Sequence, residues 1–303
     1  MKTYQFTALL ILIITFFACS NDDDNQNGQV SLKSYEANDT TYFITYDDSG
    51  KIASFELPGQ GSKLLNILRY DMGGNLTTVE SNVFSDATLT YNDQGQVIGM
   101  DDGTSNGVSD FTYNEAGKLT RQRAEYDTGN GSVRDFTYLN GRISSFIEVR
   151  IASTAGGPVH VYRYTFTYDG IGNITRIVVA QSPVEVENFE NIRIHNFTYD
   201  NHKNPFGEII LNQIGLSEIF FAPVENFYLF ATYEFPLLSA YPIYITSQNN
   251  ILTETITEVG SGEVSTKSYT YTYNSQQYPT RIEFTETDSS GSVVFTDTTT
   301  LNY

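Results

Sequence analysis

The stretch FTYNEAGKLT, residues 111–120, contains an alternating apolar–polar segment, a short turn and the start of a second segment. Alternation with a period of two is typical of a β-strand that buries one face. The asparagine after the tyrosine can bond its own backbone, and the glycine tolerates the positive φ of a short bulged loop. The stretch therefore predicts a β-hairpin with Phe111, Tyr113 and Leu119 on a buried face and Thr112 on the opposite face.

The same phrase recurs along the chain. ITYDDSGKIA, LRYDMGGNLT, LTYNDQGQVI, FTYDGIGNIT and FTYLNGRIS are variants of it. The aligned tyrosines are Tyr46, Tyr70, Tyr91, Tyr113, Tyr138, Tyr168, Tyr199, Tyr273 and Tyr303. In most copies a glycine follows the tyrosine by four residues, and an aliphatic residue lies two positions beyond the glycine. Each unit is expected to hold two strands and two turns.

These repeats predict an all-β chain of hairpins from about residue 30, joined in one long antiparallel sheet. A hairpin can bury its apolar face only against its neighbours, and sheets of roughly 16 to 18 strands rarely stay open. We therefore expect a strongly curled sheet, an open barrel or half-shell. Its last strand, residues 301–303, is expected to close or cap it.

The motif Tyr-Asp/Asn-x-x-Gly-x-aliphatic resembles the YD repeat of bacterial Rhs and Tc toxin shells and of teneurins. The resemblance covers about residues 42 to 303 and implies an antiparallel sheet wound into a shell, although those shells are much longer. The phrases at Tyr199 and Tyr273 lack the glycine. They are similar to the later part of small Bacteroidota lipoproteins with degenerate YD repeats, which implies an exported β-protein and identifies no ligand.

The first residues are typical of a targeting segment. Lys2 is followed by a mostly apolar run, residues 6–18. A membrane-spanning helix needs about 20 residues, so the run fits a signal peptide better. It ends at Cys19, the only cysteine of the chain, and resembles the lipobox of bacterial lipoproteins. We therefore expect a lipid on Cys19 that attaches the protein to a membrane; an ordinary secretory signal is the alternative.

An acidic run follows the cysteine directly: Ser20, Asn21, Asp22, Asp23 and Asp24. It resembles the surface-export signal of Bacteroidota lipoproteins, which implies an outer-membrane lipoprotein displayed on the cell surface. The predicted organisation is a signal peptide over residues 1–18, an acidic flexible tether over 19–34 and the β domain over 35–303.

Composition narrows the classes of ligand. The net charge of −19 opposes binding to nucleic acid. A single cysteine leaves no disulfide and no thiolate metal site. His160 and His195 lie in alternating segments that predict strands, and His202 is predicted to lie in a turn. No metal or cofactor motif is present, so we expect neither.

Catalysis is not the favoured interpretation. Asp47, Asp71, Asp93 and Asp169 fall in predicted turns, where they have structural roles. We expect a non-catalytic binding or interaction protein with a glycan, peptide or protein partner. The alternatives are a surface enzyme resembling glycoside hydrolases, which would use paired carboxylates, and a purely structural scaffold.

The repeat is interrupted between Tyr199 and Tyr273. Residues 206–244 contain ten aromatic residues together with prolines at 223, 236 and 242, which discourage a continued ladder. The segment is predicted to be a small irregular or partly helical insertion. It either plugs the curled sheet or forms a ligand site. The candidate binding residues are Phe220, Phe221, Phe227, Tyr228 and Phe230.

Overall fold

The computed structural model describes residues 31–37, 40–57, 64–82, 86–101, 108–125, 129–152, 157–183, 188–205 and 247–303. These ranges contain eighteen strands, in chain order: β1 Ser34–Ala37, β2 Thr40–Tyr46, β3 Ile52–Leu57, β4 Leu64–Tyr70, β5 Leu76–Ser81, β6 Ala87–Tyr91, β7 Val97–Asp101, β8 Val108–Tyr113, β9 Leu119–Glu125, β10 Gly131–Leu139, β11 Arg142–Ala152, β12 Gly157–Tyr168, β13 Ile174–Ser182, β14 Glu190–Lys203, β15 Asn249–Glu258, β16 Val264–Tyr273, β17 Pro279–Thr287 and β18 Val293–Asn302. No helix in the described part of the chain is long and apolar enough to cross a membrane.

The strands form one antiparallel sheet in which each strand pairs with the next along the chain. β1 also pairs with β18, with Tyr35 opposite Leu301. The prediction of an all-β, strongly curled antiparallel sheet is confirmed. The curl is complete, because β1 lies between β2 and β18 and closes the sheet into a ring.

The hairpin at residues 111–120 has the predicted geometry. Phe111 and Leu119 are buried and Thr112 is exposed. Tyr113 lies opposite Leu119, and the register shifts between Thr112 and Tyr113, which marks the predicted bulge. Gly117 has a φ of 74°, in the left-handed region that its lack of a Cβ permits.

Tyrosine hydroxyl groups bind neighbouring repeats together. Each hydroxyl donates a hydrogen bond to a backbone carbonyl at the start of the preceding strand or segment. The pairs are Tyr46 with Leu32, Tyr70 with Ile52, Tyr91 with Leu76, Tyr113 with Val97, Tyr138 with Leu119, Tyr168 with Ile143, Tyr199 with Ile174, Tyr271 with Ile251 and Tyr303 with Pro279. We call the end of the shell at which these tyrosines lie the tyrosine rim, and the opposite end the far rim.

The two halves of the ring differ in height. β1 to β9 have four to seven residues each, whereas β10 to β18 have nine to fourteen. The even-numbered strands end close to their motif tyrosines, so the additional length extends mainly toward the far rim. At about 3.3 Å per residue, a few extra residues add roughly 10 Å of wall.

Most of the core lies on the inner face of the sheet, which a closed sheet turns away from solvent. One core cluster spans the long strands β11 to β17 and includes Phe146, Ile177 and Phe284. On β8 to β10 the outer face carries polar side chains: Thr112 is exposed and pairs with Arg121, which bonds Asp135. Apolar inner and polar outer residues thus alternate in β8 and β9, whereas the outer face of β11 and β12 includes Val149 and the buried Val161.

Candidate functional site

The repeat turns are occupied by structural hydrogen bonds. In the turn after Tyr168, Asp169 Oδ1 accepts bonds from the backbone nitrogens of Ile171 at 3.0 Å and Asn173 at 2.9 Å. Asp47 and Asp71 hold their own turns in the same way. The prediction for Asp93 needs correction, because the side chain that holds that turn belongs to the preceding residue, an asparagine. The motif carboxylates are therefore turn-forming groups.

One turn is opened to admit the insertion. Asp200 Oδ1 accepts hydrogen bonds from the backbone nitrogens of His202 at 3.0 Å and Asn250 at 3.1 Å. Asn250 thus takes the place that Asn173 takes in the turn of Asp169. The repeat resumes at Ile251, which corresponds to Ile174 by its place in the motif. The insertion therefore interrupts a YD turn at the tyrosine rim without removing its capping bonds.

The two ends of this opened turn are joined by side-chain amides. The Nδ2 of Asn204 donates to the carbonyl oxygen of Ser247 at 3.1 Å and to its hydroxyl at 2.9 Å. The Oδ1 of Asn173 accepts from the backbone nitrogens of Gln248 at 2.8 Å and Asn249 at 3.1 Å. Asn173 and Asn204 are both buried. The neighbouring repeat therefore helps to fix where the insertion leaves and re-enters the sheet.

Asp200 also accepts a hydrogen bond from the hydroxyl of Tyr273. Burial raises the pKa of Tyr273, and the bond to Asp200 raises it further. His202 stacks on Tyr273 with 3.9 Å between ring centroids, and its Nδ1 lies 3.5 Å from Asp200 Oδ2. The prediction that His202 lies in a turn is wrong, because β14 continues to Lys203. Pairing with β15 extends the strand to this point.

A first charged cluster lies on the inner face of β9 to β11. Glu148 Oε1 accepts bonds from Nε of Arg134 at 2.9 Å and Nη2 at 2.7 Å, and Oε2 accepts from Nε of Arg150 at 2.9 Å. Arg134 also donates to Gln122. Burial pushes the pKa of Glu148 up, but the two guanidinium groups outweigh it and hold the pKa below its ordinary value. Glu148 is therefore an ionised, structural carboxylate.

A second charged cluster lies on the inner face of β14 to β16. Glu254 Oε1 lies 2.8 Å from Nδ1 of His195, and Oε2 lies 3.6 Å from Nζ of Lys267. Burial raises the pKa of Glu254, but His195 and Lys267 more than offset it, and the pKa is lowered. His195 lies in a strand, as predicted, and contacts Glu254 of the neighbouring strand on the inner face.

These carboxylates have the chemistry of ion-pair partners. A general acid in glycoside hydrolysis needs a raised pKa, whereas the pKa values of Glu148 and Glu254 are both lowered. Among the residues that the structure describes, no group of three or more His, Cys, Asp or Glu side chains is arranged to hold a metal ion. The clusters are suited to fixing the register of long strands and to presenting charge to the interior.

The predicted site residues lie outside the described ranges. These are the lipidation site Cys19, the acidic run Ser20, Asn21, Asp22, Asp23 and Asp24, and the aromatic residues Phe220, Phe221, Phe227, Tyr228 and Phe230. They stay predictions, as does the partly helical form of the insertion.

The sequence did not predict the hydrogen bonds that hold the two ends of the insertion together. A signal was present, because Asn250-Ile251 repeats the Asn173-Ile174 pair that ends the preceding motif. The charged clusters were not foreseen either, since their partners meet only through the strand register.

Comparison with known proteins gives one family match. The family model described as Teneurin YD-shell matches residues 44–233, more than half of the chain. No curated protein matches the chain. Similar solved structures include a porin-like protein from Bacteroides vulgatus, 10% identical, with a TM-score of 0.47 and coverage of 91% of this chain and 99% of that chain.

A porin-like protein from Bacteroides uniformis is 15% identical, with a TM-score of 0.46 and coverage of 89% and 96%. The structure entitled TcdB2-TccC3-Cdc42 is 14% identical, with a TM-score of 0.37. That alignment covers 84% of this chain and 14% of the other.

Proposed function

Because this chain belongs to the Teneurin YD-shell family, we propose that it is a non-catalytic binding protein, anchored by lipid to the cell surface of a member of the Bacteroidota. The closed sheet is the scaffold, and the segment inserted at Asp200 carries the specific contacts to a glycan or protein partner. The observation that carries this proposal is the opened turn. It keeps its capping bonds at 3.0 and 3.1 Å while admitting a unique aromatic-rich sequence.

The repeat turns are poor candidates for a specific site because they resemble one another. In Asp47, Asp71 and Asp169, Oδ1 accepts hydrogen bonds from backbone nitrogens of the residue's own turn. The turn at Asp200 differs from the regular repeat turns because it contains a unique sequence, and side-chain amides hold the two ends of that sequence together. Loops held on a rigid scaffold are where binding residues concentrate.

The polar outer face of β8 and β9 supports placement of this part of the shell in water, with the lipid on Cys19 as the means of attachment. Strands that contact lipid carry apolar side chains outward and polar ones inward. Here Phe111 and Phe146 are buried on the inner face, and Thr112 and Arg121 lie on the outer face. One acyl chain alone binds membranes marginally, so stable attachment needs the two or three chains of a bacterial lipoprotein.

Lowered pKa values support the non-catalytic part of the proposal. Glu148 and Glu254 are held ionised by their basic neighbours, and the motif aspartates hold turns. A surface enzyme using paired carboxylates would need one of them to keep a proton near neutral pH.

The test replaces the insertion with a regular repeat turn. In the regular-turn variant, residues 201–249 are replaced by Gly-Ile-Gly, the sequence of residues 170–172, so that Asp200 and Asn250 again flank a three-residue loop. We expect the variant to fold and to lose binding on a glycan array and in cross-linking to surface proteins. Equal binding by both forms would overturn the assignment of the site. Polysaccharide turnover lost on Glu254→Gln would overturn the non-catalytic assignment.

Single alanine substitutions refine the same test. Alanine at Phe220, Phe221, Phe227, Tyr228 or Phe230 should weaken partner binding and leave the melting temperature nearly unchanged where the ring contacts the ligand. A ring that serves only the core should instead lower stability by about 3–5 kcal/mol. If all five substitutions destabilise and none weakens binding selectively, the insertion is a plug.

Anchoring is tested separately. Labelled palmitate should enter the protein and should be absent from Cys19→Ala. Protease added to intact cells should degrade a surface-displayed protein, and full protection would place it on the periplasmic side.

A further inference from the structure

An arginine on the inner wall has unused hydrogen-bonding capacity. Arg150 donates through Nε to Glu148, and its terminal nitrogens bind no described residue. Its side chain keeps 32% of its surface accessible, whereas that of Glu148 keeps only 3%. The guanidinium group is therefore held on one side by a buried carboxylate and is open to solvent on the other.

The neighbours of Arg150 form a polar patch on β11 to β13. Its guanidinium carbon lies 4.8 Å from the ring centroid of Tyr162, and its cross-strand partner is His160. The Nδ1 of His160 lies 3.1 Å from Nε2 of Gln181, which is the cross-strand partner of Tyr162. Ring stacking and the bond to Glu148 restrict Arg150 to one geometry, so little ordering remains for a ligand to impose.

We propose that Arg150, with His160, Tyr162 and Gln181, forms a binding site for a carboxylate-bearing small ligand on the inner wall of the shell. A guanidinium group presents paired N–H donors that match the two oxygens of a carboxylate. The imidazole, phenol and amide groups beside it can bond hydroxyl or amide groups of the same ligand. A uronic acid and the C-terminus of a peptide share this chemistry.

Charge also favours an anion here. The chain has a net charge of −19 with only 17 basic residues. Arg134 and Arg150 nevertheless lie on the same buried carboxylate of Glu148. Arg134 already places two N–H donors on Oε1 of Glu148, so a second arginine is not needed to neutralise this carboxylate. The exposed side of the Arg150 guanidinium group can therefore attract an anion.

The site adds to the proposed binding function and does not depend on the insertion. It lies on β11 to β13, whereas the opened turn joins β14 to β15. The regular-turn variant should therefore keep carboxylate binding while losing the partner recognised by the insertion. The failure of one proposal can in this way be told apart from the failure of the other.

The experiment is calorimetric titration of the mature protein with sodium D-glucuronate and with an acetylated peptide bearing a free C-terminal carboxylate. Glucose and the same peptide as its C-terminal amide are the neutral controls. We expect saturable binding of a carboxylate probe, weakened at least about tenfold in Arg150→Gln and partly retained in Arg150→Lys. Arg121→Gln, the same charge change on the outer face, should bind within about twofold of wild type.

Some outcomes identify the source of the carboxylate, and others overturn the proposal. Saturable binding of only one probe supports the site and identifies the source of the carboxylate. Equal loss in Arg150→Gln and Arg121→Gln, or no saturable binding of either probe, overturns it. If Arg150→Gln fails to fold, His160→Ala replaces it. Unchanged affinity in that variant, whose side chain is exposed and removable without a cavity, overturns the proposal.

Discussion

The hydroxyl of Tyr113 donates a hydrogen bond of 2.8 Å to the backbone carbonyl of Val97, in the strand before it in the chain. Val97 starts the odd-numbered strand that precedes β8, and Tyr113 ends β8. The same bond recurs along the tyrosine rim. A repeated tyrosine thus joins strands at a position where a phenylalanine would leave a carbonyl without its partner.

Removing one hydroxyl should therefore destabilise the shell measurably. Tyr113→Phe is expected to lower the free energy of unfolding by about 1–2 kcal/mol, the cost of a lost bond to a partly buried carbonyl. Tyr162→Phe is the matched control, because no described residue receives a bond from its hydroxyl. Chemical denaturation measures both, and equal effects would contradict the role given to the tyrosine rim.

Alkaline pH should lower the free energy of unfolding through the tyrosines of the same rim. Burial raises the pKa of Tyr91 to about 12, and burial also raises that of Tyr70 and Tyr199. Tyrosine in an unfolded chain titrates near 10. A raised pKa gives stability that is fully present below about pH 10 and is lost as pH rises toward the folded value. Denaturation midpoints should fall steeply above about pH 10, and a flat profile there would count against this account.

The turn glycines should be needed for their backbone conformation and not for space. Gly95 has a φ of 76°, and nothing lies within 4 Å of a Cβ added to it. Gly95→Ala should cost about 1–2 kcal/mol of stability through left-handed strain alone. Gly260→Ala is the control, since that site is equally open and has no positive φ. Thermal melting should show a lower melting temperature for Gly95→Ala and an unchanged one for Gly260→Ala.

The buried ion pair on β10 and β11 should be costly to break. Glu148→Gln leaves Arg134 facing a neutral group in a buried setting, and we expect a loss of about 3–5 kcal/mol. Glu80→Gln, which breaks the exposed pair with Arg69, should have little effect. Because the pKa of Glu148 is lowered, its contribution is present above the unfolded pKa of about 4.3 and is lost as pH falls below it. As the pH is lowered, Glu148→Gln should lose less stability than the wild type does, because the other carboxylates with lowered pKa values contribute equally to both. Equal acid loss in the two proteins would contradict this expectation.

Most of the fold could be predicted from the spacing of the tyrosine, glycine and aliphatic residues within each repeat. A hairpin such as residues 111–120 is specified within ten residues, because its turn, bulge and buried face all follow from neighbouring side chains. Even the phrase at Tyr273, which lacks a glycine, keeps the turn, with Gln277 at a φ of 69°. The sequence predicted that the last strand would close or cap the sheet, but it did not predict that β1 would be its partner. That pairing depends on the accumulated twist of all the strands, which no single repeat specifies.

The site was harder to anticipate for the same reason. Asp200 and Asn250 form one turn although fifty residues separate them in the chain. Glu148 could be placed on the inner face by its spacing from Phe146, but its bond to Arg134 depends on the register of two strands. Pairing of this kind is a tertiary property, and alternation alone does not determine it.

The ring closes where the first strand, β1, pairs with the last, β18. Ser34 and Asn302 are hydrogen-bonded across 268 positions, whereas every other strand pair joins neighbours. The hairpins can form in the order in which they are synthesised, but β1 cannot complete its pairing until β18 has been made. Until then both outer strands carry unpaired backbone groups, which invite association with other chains. A chain stopped a dozen residues early keeps nearly all of its repeats and remains permanently in that aggregation-prone state.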